Sequence, residues 1–366
     1  MTGLYDVEFS LAIYNRTGKY FIGKDIIDSC GDLIGDIWYG ASKGKVPPPG
    51  IVGKVVGRLQ HIQVLQNALG GPLSWLPRRT PPRPLLHIDP FSVLSTRLRP
   101  EDLVICHDVG PVTDPELFDP KNSPVYDAIY RHIAEIGPHI VFVSEATKVA
   151  FNRLYPHARC ASQTVIYPTI KPAKEDGAIE AVTGIDGPYL LTVGALGTRK
   201  NQIRSMRAFQ RSGLAAQGVR YVLCGSREPG YDAVCAEAER TEGVIRLSYV
   251  SDAQLTWLYR NARGFVLPSL LEGFGMPVAE AIGHGLVPLV SKDSVLEEVA
   301  GEGALTVDPL DGDDIASGMT ALVVMGADER AQRVQLLQQS IRRFDGAVIS
   351  SQWRDALKAM SGQAQA

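Results

Sequence analysis

Short apolar runs, each followed by a stretch of helical spacing, recur along this chain, and that alternation leaves few folds open. "DLVICHD", "HIVFVS", "YLLTVGAL", "VRYVLCGS" and "GFVLPSL" are too short for apolar helices and too evenly apolar for strands with one wet face. They read as strands covered on both sides, as in a parallel sheet between helices. "VEFSLAIYN" reads as the first strand, and "TGKYFIGKDIIDSCGDL" as the turn and helix after it. The class is therefore α/β. At 366 residues the chain exceeds one ordinary core, and the pattern runs twice, broken by the polar "KPAKEDGAIEAVTGIDGP". This predicts a first domain over 1–172, a linker over 173–188 and a second domain over 189–347. The last helix, "SSQWRDALKAM", and its tail (348–366) are expected to cross back to the first domain. Two Rossmann-like domains facing across a cleft, with ligands at the carboxyl ends of the strands, is the expected architecture.

Residues 41–84 interrupt the first domain. Proline-rich brackets, "GKVPPPG" and "LPRRTPPRP", flank "IVGKVVGRLQHIQVLQNAL", a basic and apolar helical insertion. Its cations (Lys43, Lys45, Lys54, Arg58, Arg78, Arg79 and Arg83) suit either a solvated face or contact with anionic lipid. The net charge of −3 argues against wholesale nucleic-acid binding. No apolar run approaches the ~20 residues of a membrane span, and no secretory leader is visible. The cytoplasm, or the inner face of a membrane, is the expected setting. Five scattered cysteines without a CxxC pair indicate neither a disulfide framework nor a zinc site, and Cys30, Cys106 and Cys224 read as core residues.

The chemistry concentrates in "SLLEGFGMPVAEAIGHG". Glu272 and Glu280 stand on either side of Gly273-Phe274-Gly275, and Pro277 suits the first position of a helix. Glycines let backbone approach a ligand and aim amides from a helix mouth, which is an anion site. A carboxylate one turn inside such a helix can accept two hydrogen bonds from a ribose diol. Acids favouring a helix start would explain Glu272 and Glu280 alone, but not the glycines. In "LTVGALGTRKNQIRSMRAF", Arg199 and Lys200 follow a glycine-bearing strand-to-helix turn, where cations are poorly placed for the helix dipole. Fixed cations there would stabilise a departing diphosphate more as its charge grows. His107 ends a strand, and Asp108 beside it suits orienting His107, touching an acceptor or capping the next loop. "NRTGKYFIG" supplies Gly18 and Lys19 in the first glycine turn. Ser144 suits an N-cap.

The stretch from "PSLLEGFGMPVAEAIGHG" through "VDPLDGDDIASGM" resembles the C-terminal signature of the retaining glycosyltransferases of family 4. That resemblance covers the second half and much of the first from His107 onward. It implies a GT-B fold and the E-x7-E motif, here Glu272 and Glu280. It further implies that Glu272 holds the donor sugar's hydroxyls and Glu280 its ribose. Lys200 and Arg199 would clamp the diphosphate, Arg199 standing in for an arginine that many members carry where this chain has Ala195. His107 would face the donor sugar, Gly18 and Lys19 would approach donor or acceptor, and Tyr249 and Val250 in "SYVSDAQL" would border the base, near "LCGS". His107, Glu272 and Lys200 are then the catalytic candidates. "CHDVGPVTDPELF" with "RKN" looks most like bacterial mannosyl- or rhamnosyltransferases of surface polysaccharide assembly.

The implied reaction moves a hexose from a nucleotide sugar, with GDP-mannose expected and a UDP-sugar the competitor, to a hydroxyl of a glycan or lipid-linked saccharide. No metal or other cofactor is expected, and "DGDD" (311–314) reads as a polar loop. Two readings from other classes stay open. A dinucleotide-dependent oxidoreductase lacks its GxGxxG after the first strand, and a silent glycan-binding scaffold must account for intact Glu272, Lys200 and Glu280.

Overall fold

The computed structural model describes residues 3–14, 18–75, 77–170, 179–248 and 250–363. It divides into two compact units, Met1–Thr169 with Gly346–Ala366, and Ile170–Asp345.

The first unit runs β1 (Tyr5–Glu8), α1 (Gly18–Ser29), β2 (Ile34–Tyr39), β3 (Ser42–Lys43), α2 (Gly50–Leu69), β4 (Leu85–His87) and β5 (Leu103–Cys106). It continues with α3 (Gly110–Thr113), α4 (Ser123–Ile136), β6 (His139–Phe142), α5 (Glu145–Leu154) and β7 (Ser162–Val165). The seven strands lie in the order β3-β2-β1-β4-β5-β6-β7, and only the short edge strand β3 is antiparallel to its neighbour. β5 and β6 are buried along their whole length and pack on Ile129 and Ile133 of α4 and Phe151 of α5. Ser144 caps α5 by accepting from the Thr147 amide at 3.1 Å.

The second unit runs β8 (Tyr189–Val193), α6 (Gln202–Arg211), β9 (Arg220–Cys224), α7 (Tyr231–Arg240), β10 (Val244–Leu247), α8 (Asp252–Asn261), β11 (Gly264–Leu267) and α9 (Met276–Gly283). Then come β12 (Pro288–Ser291), α10 (Val295–Ala300), β13 (Leu305–Val307), α11 (Gly312–Val324) and α12 (Ala327–Ile341). Its six strands are all parallel, in the order β10-β9-β8-β11-β12-β13. After Asp345 the chain re-enters the first unit as α13 (Gly346–Gln363), which buries Ile349, Trp353, Leu357 and Met360. Arg354 on α13 grips Asp32 with two hydrogen bonds of 2.6 and 2.7 Å.

Several elements depart from the sequence reading. "VEFSLAIYN" is not one strand: β1 stops at Glu8, and Ser10–Ile13 is a 3-10 turn. The Glu8 carboxylate accepts from the Ser10 hydroxyl and, at 3.3 Å, from the Gly40 amide, which folds the chain back before a longer strand can form. β2 and β4 have no counterpart in the sequence reading, and neither do α10 and α12. "DGDD" has a structural task, since Asp311 caps α11 by accepting from the amides of Asp313 at 2.8 Å and Asp314 at 3.2 Å. All five cysteines are unpaired, with Cys30, Cys106 and Cys224 buried.

Candidate functional site

In the second unit the turns after β8 and β9 touch through their backbones. The Gly194 amide donates to Cys224 at 2.9 Å, and a Cβ on Gly225 would lie 1.8 Å from the Gly194 carbonyl oxygen. Gly194 itself has φ +141°, open to glycine and strained for other residues. From there Thr198–Lys200 forms a 3-10 turn and Asn201 adopts a left-handed conformation (φ 60°). Asn201 is held by hydrogen bonds from its Nδ2 to the carbonyls of Pro268, 2.9 Å, and Pro309, 2.7 Å. Arg199 and Lys200 therefore precede α6 and do not occupy its first turn. Their charges are met by carboxylates instead, Glu272 for both and Glu228 for Arg199.

Both cations turn to Glu272. Lys200 Nζ bonds Glu272 Oε1, Arg199 donates to Glu272 Oε2 at 3.1 Å, and the Ser269 hydroxyl donates to Oε1 at 2.8 Å. Arg199 is shared, donating also to Glu228 Oε1 at 2.7 and 3.1 Å and to the Leu271 carbonyl at 3.0 Å. The Lys200 and Glu272 side chains are each only 7 % exposed. Burial pushes the Glu272 carboxyl up, but the charges of Lys200 and Arg199 outweigh it and hold the group below its usual range. Glu272 thus sits between the two cations, with Glu228 sharing Arg199.

Immediately after Glu272 the glycine turn opens α9. Gly275 has φ +95°, and a Cβ there would sit 2.3 Å from the Leu296 side chain. Pro277 occupies the second helical position, not the first. Phe274, expected to contact a donor, is buried edge-on to Phe344 with centroids 5.1 Å apart, so its ring belongs to the core and only its backbone is left to face a ligand. Glu280 lies one turn into α9 and accepts from the Tyr259 hydroxyl at 3.0 Å. Burial raises its pKa, and the Tyr259 bond works against that rise. Tyr259 is stacked on His284 with centroids 4.9 Å apart. Val250 is half-buried just ahead of the Ser251 cap of α8, whereas Tyr249 lies outside the described residues.

In the first unit His107 follows β5 and is buried. Its Nε2 stands 2.7 Å from the Ile88 carbonyl oxygen. A carbonyl only accepts, so Nε2 carries the proton and Nδ1 the lone pair. Burial, aided by the Lys19 charge and opposed by Asp89, pushes the imidazole down to about 4, so it is neutral at pH 7. Asp108 accepts from the Gly110 amide at 3.0 Å; of the three roles open to it, capping the loop into α3 is the one with a bond in the structure. Lys19, in the first turn of α1 behind Gly18, donates to Asp89 at 3.2 Å and stands 6.0 Å from the Tyr126 ring centre. Asn15, Arg16 and Thr17 of the same glycine turn lie outside the described residues.

Glu228, Ser269, Tyr259 and Asp89 escaped sequence reading. Asp89 had a detectable signal, an aspartate directly before a proline, and it caps Pro90–Ser95 by accepting from Phe91 at 3.0 Å. Glu228 and Tyr259 act through partners 29 and 21 positions away, and Ser269 acts on Glu272 only three positions on, in a loop whose path no periodicity gives. Among the described residues no cluster of three or more His, Cys, Asp or Glu is placed to hold a metal.

Residues 178–335 match the family model described as "Glycosyl transferases group 1". The O-antigen chain mannosyltransferase B of Escherichia coli is 32 % identical over 223 residues, which is 58 % of this chain and 58 % of that protein. The O-antigen chain mannosyltransferase RfbU of Salmonella typhimurium is 27 % identical over 265 residues, 71 % of this chain and 67 % of its own length. Among solved structures, a UDP-forming α,α-trehalose-phosphate synthase from Burkholderia xenovorans superposes with a TM-score of 0.63 over 98 % of this chain and 86 % of that one, at 17 % identity. That likeness shows the fold, a GT-B arrangement of two Rossmann-like domains in succession.

Proposed function

We propose that this chain, whose residues 178–335 match the glycosyl transferases of group 1, transfers a mannosyl residue, with retention, from GDP-mannose to a hydroxyl of a growing surface glycan or lipid-linked saccharide. The observation that carries the reading is the buried meeting of Lys200 and Arg199 with Glu272 beside the amide-rich mouth of α9. The two curated relatives named as O-antigen mannosyltransferases support the choice of sugar.

When donor enters, its diphosphate takes over Lys200, Arg199 and the α9 amides. Glu272, released from Lys200, accepts hydrogen bonds from sugar hydroxyls, and Glu280, one oxygen fixed by Tyr259, accepts from the ribose. As the bond from the anomeric carbon to the phosphate oxygen breaks, negative charge builds on that oxygen against fixed cations, which is where preorganised charge lowers the barrier most. The acceptor oxygen forms the new bond on the same face, and its proton passes to the departing phosphate oxygen. Lys200 and Arg199 supply the neutralisation that a metal ion provides in other transferases, so the reaction as proposed needs none.

Incubation with a panel of nucleotide sugars and a lipid-linked acceptor tests this directly. GDP release and a mannosylated product are expected from GDP-mannose. Turnover of a UDP-sugar alone overturns the donor assignment, and stabilisation only by NAD overturns the transferase reading.

A further inference from the structure

Helix α2 is packed the wrong way round for a surface helix, which normally turns its apolar face inward. The row that faces the first unit is Gly53, Gly57, Gln60 and Val64. Val64 joins the core, but the other three are small or polar, and Gly57 approaches so closely that a Cβ would lie 3.2 Å from Ile13. Gln60 is tied down by hydrogen bonds of 3.3 Å to Glu8 and 3.2 Å to Ser95. The opposite row carries the aliphatic residues outward. Ile51, Val55, Leu59, Ile62 and Leu69 are all exposed, Ile51 at 80 %, and Trp75 follows in the next loop at 74 %. Nine of the seventeen large apolar side chains exposed among the described residues fall between Val46 and Trp75. Such a concentration marks a contact surface.

The charge on this segment says what it contacts. Residues 41–84 hold seven Lys and Arg and no Asp or Glu, in a chain whose net charge is −3. Lys43, Arg79 and Arg83 pair with Asp36, Glu8 and Asp6. Lys45, Lys54, Arg58 and Arg78 form no ion pair among the described residues, and Lys54 and Arg58 are exposed within the apolar stripe. A second copy docking through this face would set like charges against one another. Nucleic acid would satisfy the cations but leave the aliphatic stripe and Trp75 unburied. An anionic bilayer surface satisfies both, with branched side chains in the acyl boundary, cations at the headgroups and a tryptophan at the interface level. No described helix is long and apolar enough to cross a membrane. We propose that α2 and the loop through Trp75 form a monotopic docking face for anionic lipid, holding the first unit flat on a membrane.

This inference stands apart from the transferase reading, because its test uses no turnover. The full chain is sedimented with vesicles of one part phosphatidylglycerol to two of phosphatidylcholine, and with phosphatidylcholine alone. Binding is expected to the anionic vesicles, at least about tenfold weaker on the neutral ones and weakened by salt. Replacing Ile51→Glu with Leu59→Glu lowers partitioning by about tenfold or more, with an unchanged melting temperature since both side chains already face solvent. Lys54→Ser and Arg58→Ser each weaken binding roughly fivefold on anionic vesicles only. Absence of vesicle binding overturns the proposal. So does undiminished binding by the Ile51/Leu59 variant, or a concentration-dependent dimer without vesicle binding that the same variant abolishes.

Discussion

Lys200 and Glu272 form a pair whose members cannot be removed without consequence for both chemistry and fold. Lys200→Ala should lower kcat about 10²- to 10³-fold, the loss typical of one transition-state donor. It should also cost roughly 3 kcal/mol of stability, because a buried carboxylate loses one of its two cations; steady-state kinetics and thermal unfolding separate the two. Tyr259→Phe deletes only the bond that fixes Glu280, so donor KM should rise roughly three- to tenfold while kcat changes little, as initial rates at varied donor will reveal. Two buried histidines make stability pH-dependent. Burial pushes His107 down to about 4 and His87 to about 3. Their neutral forms are thus favoured in the fold, and the unfolded chain takes up protons first. Stability is full above about pH 6.5 and falls as pH drops toward 4, each histidine adding up to about 1.4 kcal/mol per pH unit. His107→Gln should flatten that slope in denaturant titrations between pH 6.5 and 4. The types of residue at the site were legible from "RKN" and E-x7-E, since cations and acids around glycine turns have few other uses. Glu228 and Tyr259 were not, because 29 and 21 positions separate them from Arg199 and Glu280.

At the scale of elements, glycine turns set the geometry. Gly225→Ala would place a methyl 1.8 Å from a backbone oxygen that has nowhere to move, whereas Gly213, also in the second unit, has nothing within 4 Å of the equivalent point. The first substitution should destabilise the second unit by more than about 2 kcal/mol, or prevent its folding. Gly213→Ala serves as the comparison, limited to the cost of a positive φ, and calorimetry on both variants checks the contrast. Strands buried on both faces, such as β5, β6, β8 and β11, show as almost wholly apolar runs and were readable. β2 was not, because only Tyr39 of its six residues is buried and Gly35 and Asp36 break the run. β4 has three residues, too few for any periodicity.

At the scale of the whole molecule, α13 makes the first unit discontinuous in sequence. Trp353 is buried where α13 meets the first unit, so Trp353→Ala should cost that unit about 3–5 kcal/mol. The second unit, which contains no part of α13, should keep its transition, giving a split melting curve. Arg354→Ala should leave the melting temperature almost unchanged, since its pair with Asp32 is a third to a half exposed.

Periodicity and motif order are local properties, and they are what the amino-acid sequence settled here: a doubled α/β pattern, a helical insertion and the residue types of the proposed donor site. Pairings across long separations depend on how the sheets stack. Only the fold brings Lys200 to Glu272 over 72 positions and Arg354 to Asp32 over 322. Spacing likewise marks α2 as helical but is blind to which face turns inward. That was decided by the close fit of Gly53 and Gly57 to the first unit and by Gln60 reaching Glu8, contacts that aliphatic side chains in those positions would have forbidden.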